Sequence, residues 1–236
     1  MIGSAIWFGI AAGIFFLAAF GYVVFTALRG RLTSPYYFLP PIHAAIAGTA
    51  YVGMTLVAAG VLPDVLDVSY FRYADWSLST PIITYYLAML ADVDLEIRAV
   101  AVAANVGMIA TGFLASVTAS PLKWGFFAVA SLLFLVLLYV YVSTFGDAIR
   151  RNPRSSRSVF LSLRDLTVIV WSVYPIAFLL GPNGFGLLLP SDHNFVIAFL
   201  DLTAKVGFMA VLVVRQYELN TFVGADTTAS RASGSD

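Results

Sequence analysis

Two ionisable residues, Asp201 and Lys205, lie within the last long apolar stretch of the chain, in the segment Phe199-Leu-Asp-Leu-Thr-Ala-Lys-Val-Gly-Phe208. A charged side chain inside a membrane span is costly and marks a functional site by default. A lysine has a reason to be buried if it forms a Schiff base with a carbonyl cofactor. The spacing of four residues puts both side chains on one helix face, so a structural ion pair is the alternative on this motif alone.

A second set of charges opens an earlier apolar stretch, in Arg72-Tyr-Ala-Asp-Trp-Ser-Leu-Ser-Thr-Pro81. Arg72 and Asp75 are three residues apart and share a helix face, with Ser79 one turn further on. Asp75 and Asp201 would supply two negative charges, and Arg72 with a protonated Schiff base on Lys205 would supply two positive ones. Buried charges persist when they are paired. The pattern predicts one charged cluster, with a purely structural salt-bridge network as the alternative.

The composition predicts a helical membrane protein. The chain is 60% hydrophobic and 11% charged, with a mean hydropathy of +0.89. A soluble domain carries about a quarter charged residues. In lipid, backbone N–H and C=O groups can form their hydrogen bonds only within helices or a closed β-barrel. Barrel strands alternate apolar and polar residues, and the continuous apolar runs of this chain do not. We therefore expect an all-α bundle of seven transmembrane helices in the cell membrane, in contact with lipid. The runs cover about 4–28, 37–60, 71–91, 97–118, 122–146, 158–181 and 193–216.

The charges between the runs predict the orientation. Arginines cluster in alternate connections, and the positive-inside rule then places the N-terminus outside the cell. These arginines are Arg29, Arg31, Arg98, Arg150, Arg151, Arg154, Arg157 and Arg215. The cluster at 150–157 is read mainly as a topology signal, with a partner-docking surface as the alternative. Net charge is zero, so no nucleic-acid partner is expected, and there is no cysteine. Nothing suggests an enzyme.

Two segments outside the runs carry further expectations. Residues 60–70 alternate apolar and polar side chains, which predicts a short extracellular hairpin. Residues 225–236 are polar and rich in Ser, Thr and Ala, which predicts a disordered cytoplasmic tail. The remainder, 1–224, is expected to form one membrane domain.

The chain resembles the haloarchaeal microbial rhodopsins. The resemblance rests on Arg-Tyr-Ala-Asp-Trp with Ser-Thr-Pro, on Trp171-Ser-Val-Tyr-Pro175 and on the Lys205 segment, and it covers all seven spans. It implies all-trans retinal bound to Lys205 as a protonated Schiff base, with Asp75 and Asp201 as counterions. It also implies light-driven isomerisation to 13-cis followed by proton transfer to Asp75.

The resemblance also implies a retinal pocket built from aromatic and small residues. Family pockets usually carry Trp at the position of Phe178, so one wall would be smaller here. Pro175 lies inside a span and should kink it, either passively or as part of a movable helix. The pocket residues are Tyr51, Trp76, Thr80, Met108, Gly112, Ser131, Phe134, Trp171, Tyr174 and Phe178, with Ser79 beside them.

Two positions favour a light sensor with a slow photocycle over an outward proton pump, which stays the alternative. Pumps of the family reprotonate the Schiff base from a carboxylate three turns inward of the counterion. Tyr86, eleven residues after Asp75, occupies that place, and a phenol is a poor proton donor at neutral pH. Asn105 stands where pumps tend to have Asp.

The similarity is greatest to sensory rhodopsin II and the related middle rhodopsins. That branch implies a transmembrane transducer beside the sixth and seventh helices. Phe199 and Leu189 replace residues that bond the transducer, and Ala204 replaces a Thr that bonds the tyrosine at position 174. These departures weaken the expected interface and fit the middle rhodopsins. Association with further copies of the chain is left open.

Two histidines carry weaker expectations. His193, beside Asp192, is read as part of a solvated loop, with proton release as the alternative. His43 lies inside the second run, and an intramembrane histidine needs a partner. A backbone carbonyl, a tyrosine, or a place on the cytoplasmic side of Lys205 would each provide one.

Overall fold

The computed structural model describes residues 2–63, 65–151 and 157–233. Its backbone is helical almost throughout, because apolar runs of this length can satisfy their own hydrogen bonds only as helices. The fifth span runs on without a break through α5, a π-helical segment at Val140–Thr144, and α6. The helices are α1 (Ile2–Ala27), α2 (Pro35–Ala58), α3 (Val68–Ala91), α4 (Leu95–Val117), α5 (Leu122–Tyr139), α6 (Phe145–Arg151), α7 (Arg157–Leu180), α8 (Pro190–Val214) and α9 (Gln216–Ser233).

The seven predicted spans are confirmed. In the described residues, six helical stretches are long and apolar enough to cross a membrane by length and composition. The remaining span, α3, is less apolar because it carries Arg72 and Asp75 among several hydroxyl side chains. Its two charged side chains are nevertheless buried, since the helix packs against α2, α4, α6 and α7. The chain is a multi-pass protein of the cell membrane.

The helices pack in chain order because their connections are short. Each helix from α1 to α4 lies against the helix that follows it, α7 lies against α8, and α8 returns to α1 and α2. Gly30 and Gly60 follow α1 and α2 with φ values of 66° and 72°, a conformation that glycine adopts without strain at a helix end. Arg154 and Asp64 lie outside the described residues.

The predicted hairpin at 60–70 is wrong. The described residues of this connection contain no strand, and the Leu66 N–H donates to the Pro63 carbonyl at 2.9 Å in a turn. Asp67 then caps α3 by accepting from the Ser69 N–H at 2.8 Å. The last residues of the predicted hairpin, Val68 to Tyr70, belong to α3, so they cannot form its second strand.

The end of the chain also differs from its prediction. Instead of becoming disordered at 225, the backbone stays helical in α9 as far as Ser233. Three alanines and the absence of proline allow the helix to continue, although the Gly, Asp, Thr and Ser residues of this segment are weak helix formers. The start of α9 is held by Leu219, which is buried, and by Asn220, which accepts from the Tyr37 hydroxyl at 2.6 Å. Residues 234–236 lie outside the described part, and the single domain at 1–224 stays a prediction.

Gly53 allows α2 and α3 to approach closely. A Cβ atom at this position would lie 2.9 Å from Phe71 Cγ and nearer still to the edge of the ring. We expect Gly53→Ala to lower the free energy of unfolding by about 1–3 kcal/mol, the usual cost of overpacking. Thermal denaturation of the detergent-solubilised protein measures this effect. Gly13→Ala is the matched control, because a Cβ there meets nothing within 4 Å; equal melting temperatures for the two variants would contradict the prediction.

Candidate functional site

Lys205 is buried in the middle of the bundle, and its amine faces two carboxylates. The Nζ atom donates to Asp75 Oδ2 at 2.7 Å and lies 3.7 Å from Asp201 Oδ1. Asp75 comes from α3 and Asp201 from the preceding turn of α8, so the contact joins two helices. All three side chains are at most 2% exposed. The structure thus brings together the three residues that the sequence predicts as the centre of the site.

The two carboxylates have different surroundings. Asp201 accepts three hydrogen bonds: from Tyr51 at 2.6 Å, from the Trp76 indole at 2.9 Å and from Tyr174 at 2.7 Å. Asp75 Oδ1, by contrast, has no hydrogen-bond partner. Hydrogen bonds to a carboxylate stabilise its charged form. Asp201 is therefore held by donors from three helices, whereas Asp75 keeps one oxygen without a donor.

Arg72 lies further from this centre than its spacing with Asp75 suggests. Its Nη2 atom donates to Asn194 Oδ1 at 2.8 Å, and its Nε atom has no partner. No carboxylate in the described part of the chain lies within ion-pair distance of it. Its positive charge can therefore act on Asp75 and Asp201 only from beyond ion-pair distance. Asn194 was missed, although its spacing of seven residues from Asp201 puts both on one face of α8.

A largely apolar cavity extends from Lys205 and Asp201 between α3, α4, α5, α7 and α8. Its empty space, including an open mouth, is about 1120 Å³. All the predicted pocket residues line it except Tyr51, which bonds Asp201, and Ser79, which is buried with its hydroxyl unpartnered. Those lining it are Trp76, Thr80, Met108, Gly112, Ser131, Phe134, Trp171, Tyr174 and Phe178.

Other residues of the cavity wall were not predicted. Tyr73 packs against Trp76 with ring centroids 5.0 Å apart, and it lies 3.5 Å from where a Cβ of Gly112 would be. Phe127 stacks on Phe178 at 4.8 Å, so a second ring supports the wall where Phe replaces the usual Trp. Helical spacing from Trp76 indicates Tyr73, but no signal in the sequence pairs Phe127 with Phe178.

A family model described as bacteriorhodopsin-like protein matches residues 3–218. The chain belongs to this family. Among its relatives, sensory rhodopsin III of Haloarcula marismortui is 48% identical over 229 residues, covering 97% of this chain and 99% of that protein. Sensory rhodopsin-2 of Natronomonas pharaonis is 32% identical, covering 92% and 95%. Among solved structures, cyanorhodopsin from Calothrix sp. NIES-2098 has a TM-score of 0.81 at 27% identity, covering 90% and 94%.

These comparisons confirm the predicted haloarchaeal microbial rhodopsin. Within this rhodopsin, Tyr174 has a hydrogen-bond partner that the sequence did not indicate. Ala204 offers it no hydroxyl, as the sequence indicates, but the phenol is not left unpaired, because it donates to Asp201. The partner was missed because it lies on another helix, at a distance that sequence spacing cannot give.

Tyr86 lies outside the cavity wall and is almost fully buried. Its hydroxyl donates to the Tyr36 carbonyl at 3.0 Å. Residue 40 is a proline and has no N–H to bond this carbonyl within α2. Asn105, also fully buried, accepts from the Thr80 hydroxyl at 2.8 Å and keeps an unpartnered Nδ2. Neither position offers a carboxyl group.

The prediction of His193 as a solvated loop residue is wrong. It lies in the first turn of α8, which begins at Pro190, and its side chain is half-buried and lines the cavity. A Cβ on Gly181 would overlap the imidazole, so the missing side chain makes room for the ring. Asp192, its neighbour, is exposed as predicted.

Proposed function

We propose that this rhodopsin is a photoreceptor that holds all-trans retinal on Lys205 and senses light through a slow photocycle. The observation that carries the proposal is the position of the Lys205 amine, 2.7 Å from Asp75 and in the wall of an apolar cavity. An enclosed amine with a carboxylate beside it suits a stable cationic link to an aldehyde.

The residues of the cavity fit a polyene aldehyde. A long apolar ligand needs aromatic and aliphatic walls with few polar groups, and Trp76, Trp171, Phe134 and Tyr174 supply such walls. Lys205 provides the amine that would form the covalent link. When bound, retinal supplies the absorption of visible light and a light-driven change of shape.

The chain's own residues would hold and move the proton. Asp75 has a carboxylate oxygen in contact with the lysine nitrogen and a second oxygen without a partner, so it is the natural proton acceptor. Asp201, held in place by three donors, would face the cationic nitrogen throughout. Arg72 would balance the second negative charge from the extracellular side.

The slow photocycle is inferred from the residues on the other side of Lys205. Asp75 and Asp201 are the only carboxylates buried in the described part of the chain, and both face the lysine amine. Tyr86 already donates its proton to a backbone carbonyl, and Asn105 cannot donate one as an acid. Without a tuned acid near neutral pH, return of the proton to Lys205 should be slow. A long-lived light state suits signalling better than transport.

We also propose that a transmembrane transducer binds beside α7 and α8. Relatives of this chain carry the name sensory rhodopsin, which supports light sensing. Phe199 and Leu189, at the positions that would meet a transducer, are 61% and 67% exposed. Their side chains offer apolar contact and no hydrogen bond, so a partner here would be recognised by packing.

Light-induced acidification of an unbuffered cell suspension tests sensing against pumping. We expect weak acidification that a protonophore abolishes, because each cycle is slow. Added azide, a small diffusible proton donor, should raise it. Strong acidification without azide, at the turnover of a fast pump, would contradict the sensor and favour the outward proton pump. Cells incubated without retinal are the control.

A further inference from the structure

His43 lies inside the bundle on α2, and the proposed function gives it no role. It is 1% exposed, and its Nε2 atom has no hydrogen-bond partner. An unpaired buried polar group destabilises the fold, so such a residue in a membrane span indicates a function. Apart from tyrosines, it is the only buried ionisable side chain, within the described ranges, beyond the four charged residues of the site.

His43 lies on the side of Lys205 that faces away from the two carboxylates. Its ring packs edge-on against Phe208, with centroids 5.6 Å apart, and lies near the Lys205 backbone carbonyl. Phe208 follows Lys205 by three residues, whereas Asp201 precedes it by four. Along α2, His43 precedes Tyr51, the partner of Asp201, by eight residues or about 12 Å. The imidazole is therefore inward of Lys205.

Tyr86 is the other side chain on this side of Lys205 that could return a proton to the Lys205 nitrogen. Its ring also packs against Phe208, at 5.3 Å, so it belongs to the same layer. Its proton, however, is held by the Tyr36 carbonyl. His43 instead has a ring nitrogen, Nε2, without a hydrogen-bond partner, and an imidazole can both accept and donate a proton.

We propose that His43 returns the proton to the Lys205 nitrogen from the cytoplasmic side. The imidazole takes a proton from the cytoplasm, gives it to the nitrogen lone pair and becomes neutral again. The nitrogen has earlier given its own proton to Asp75, so one proton is taken up for each one given. This inference rests on the proposed function.

The surroundings of His43 agree with a slow return. The charged residue that acts on the ring is Lys205, and the described residues place no carboxylate beside it. A cationic imidazole here therefore lacks a paired anion and exists only briefly. Lys205 Nζ faces Asp75, so its side chain must also turn toward α2 before the proton can pass.

His43→Gln tests the proposal by flash photolysis of the retinal-loaded protein. We expect recovery of the dark state to slow by roughly 100-fold, the usual contribution of a positioned general acid. Azide should restore most of the lost rate. Thr49→Val, a change at an exposed position of the same helix, should recover like the parent. Recovery of His43→Gln at the parent rate would overturn the proposal.

A second measurement follows the imidazole itself. The chain has two histidines, so ¹⁵N-histidine labelling gives few signals, and His43→Gln or His43→Asn assigns them. We expect the ring nitrogen signals of His43 to shift between darkness and steady illumination, because the Lys205 nitrogen that acts on the ring has then given up its proton and its positive charge. An unchanged ring would overturn the proposal even if the variants failed to bind retinal. Failure of the parent itself to form a coloured protein would instead remove the proposed function and, with it, this inference.

Discussion

Replacing Lys205 by alanine is expected to abolish visible absorbance after incubation with all-trans retinal. The reason is chemical, because the chain has only one other lysine, Lys123, and no other amine lies in the cavity wall. A polyene held only by apolar contact would keep its own absorption in the near ultraviolet. Absorption spectroscopy of the purified protein, with denaturing gels to detect covalently bound retinal, measures the loss.

Lys123→Ala is the matched control for this experiment. Lys123 begins α5 at the surface, where its amine donates to the Asn183 carbonyl at 2.9 Å. Its removal takes the same charge from the chain without touching the buried cluster, so the coloured protein should form at full strength. A Lys205→Ala protein that still formed a full-strength pigment would remove the basis of the proposed function.

The fold was largely predictable because lipid leaves few choices. Each apolar run had to form a helix, and the seven spans appear close to their predicted positions. The connection at 60–70 was misjudged because alternation of side chains was read without the lengths of the flanking helices. The helix over 225–233 was not predicted because its polar, weakly helix-forming composition carries no signal of its own, whereas in the structure it continues a helix that begins at Gln216.

The site was predictable where its residues share a helix and less so where they do not. Spacing placed Asp201 beside Lys205, and charge balance added Asp75 from α3. Spacing could not show that Tyr51, Trp76 and Tyr174 all converge on Asp201, because these residues come from three helices. Nor could it show that Arg72 would bond Asn194 instead of a carboxylate.

The second prediction with a large expected effect concerns Asp75, the carboxylate in contact with the Lys205 amine. Asp75→Asn should shift the absorption of the retinal-loaded protein to longer wavelength. A unit charge 2.7 Å from the nitrogen stabilises its positive charge by about 6 kcal/mol at an effective dielectric constant of about 20. Light absorption moves that charge away from the nitrogen, so losing Asp75 raises the energy of the dark state more than that of the excited state. The gap between them narrows.

The same variant should stop proton transfer from the Lys205 nitrogen, because an amide cannot act as the acceptor. Time-resolved infrared spectroscopy decides this, since a protonated Asp75 would add a carboxylic C=O band after the flash in the parent alone. Asp67→Asn is the control, because Asp67 is exposed and caps α3 away from the lysine. An unshifted Asp75→Asn spectrum, or an intact proton-transfer step, would assign the acceptor role to another group. Asp201 would then be the first to examine, since it lies 3.7 Å from the same nitrogen, although three hydrogen bonds already occupy its carboxylate.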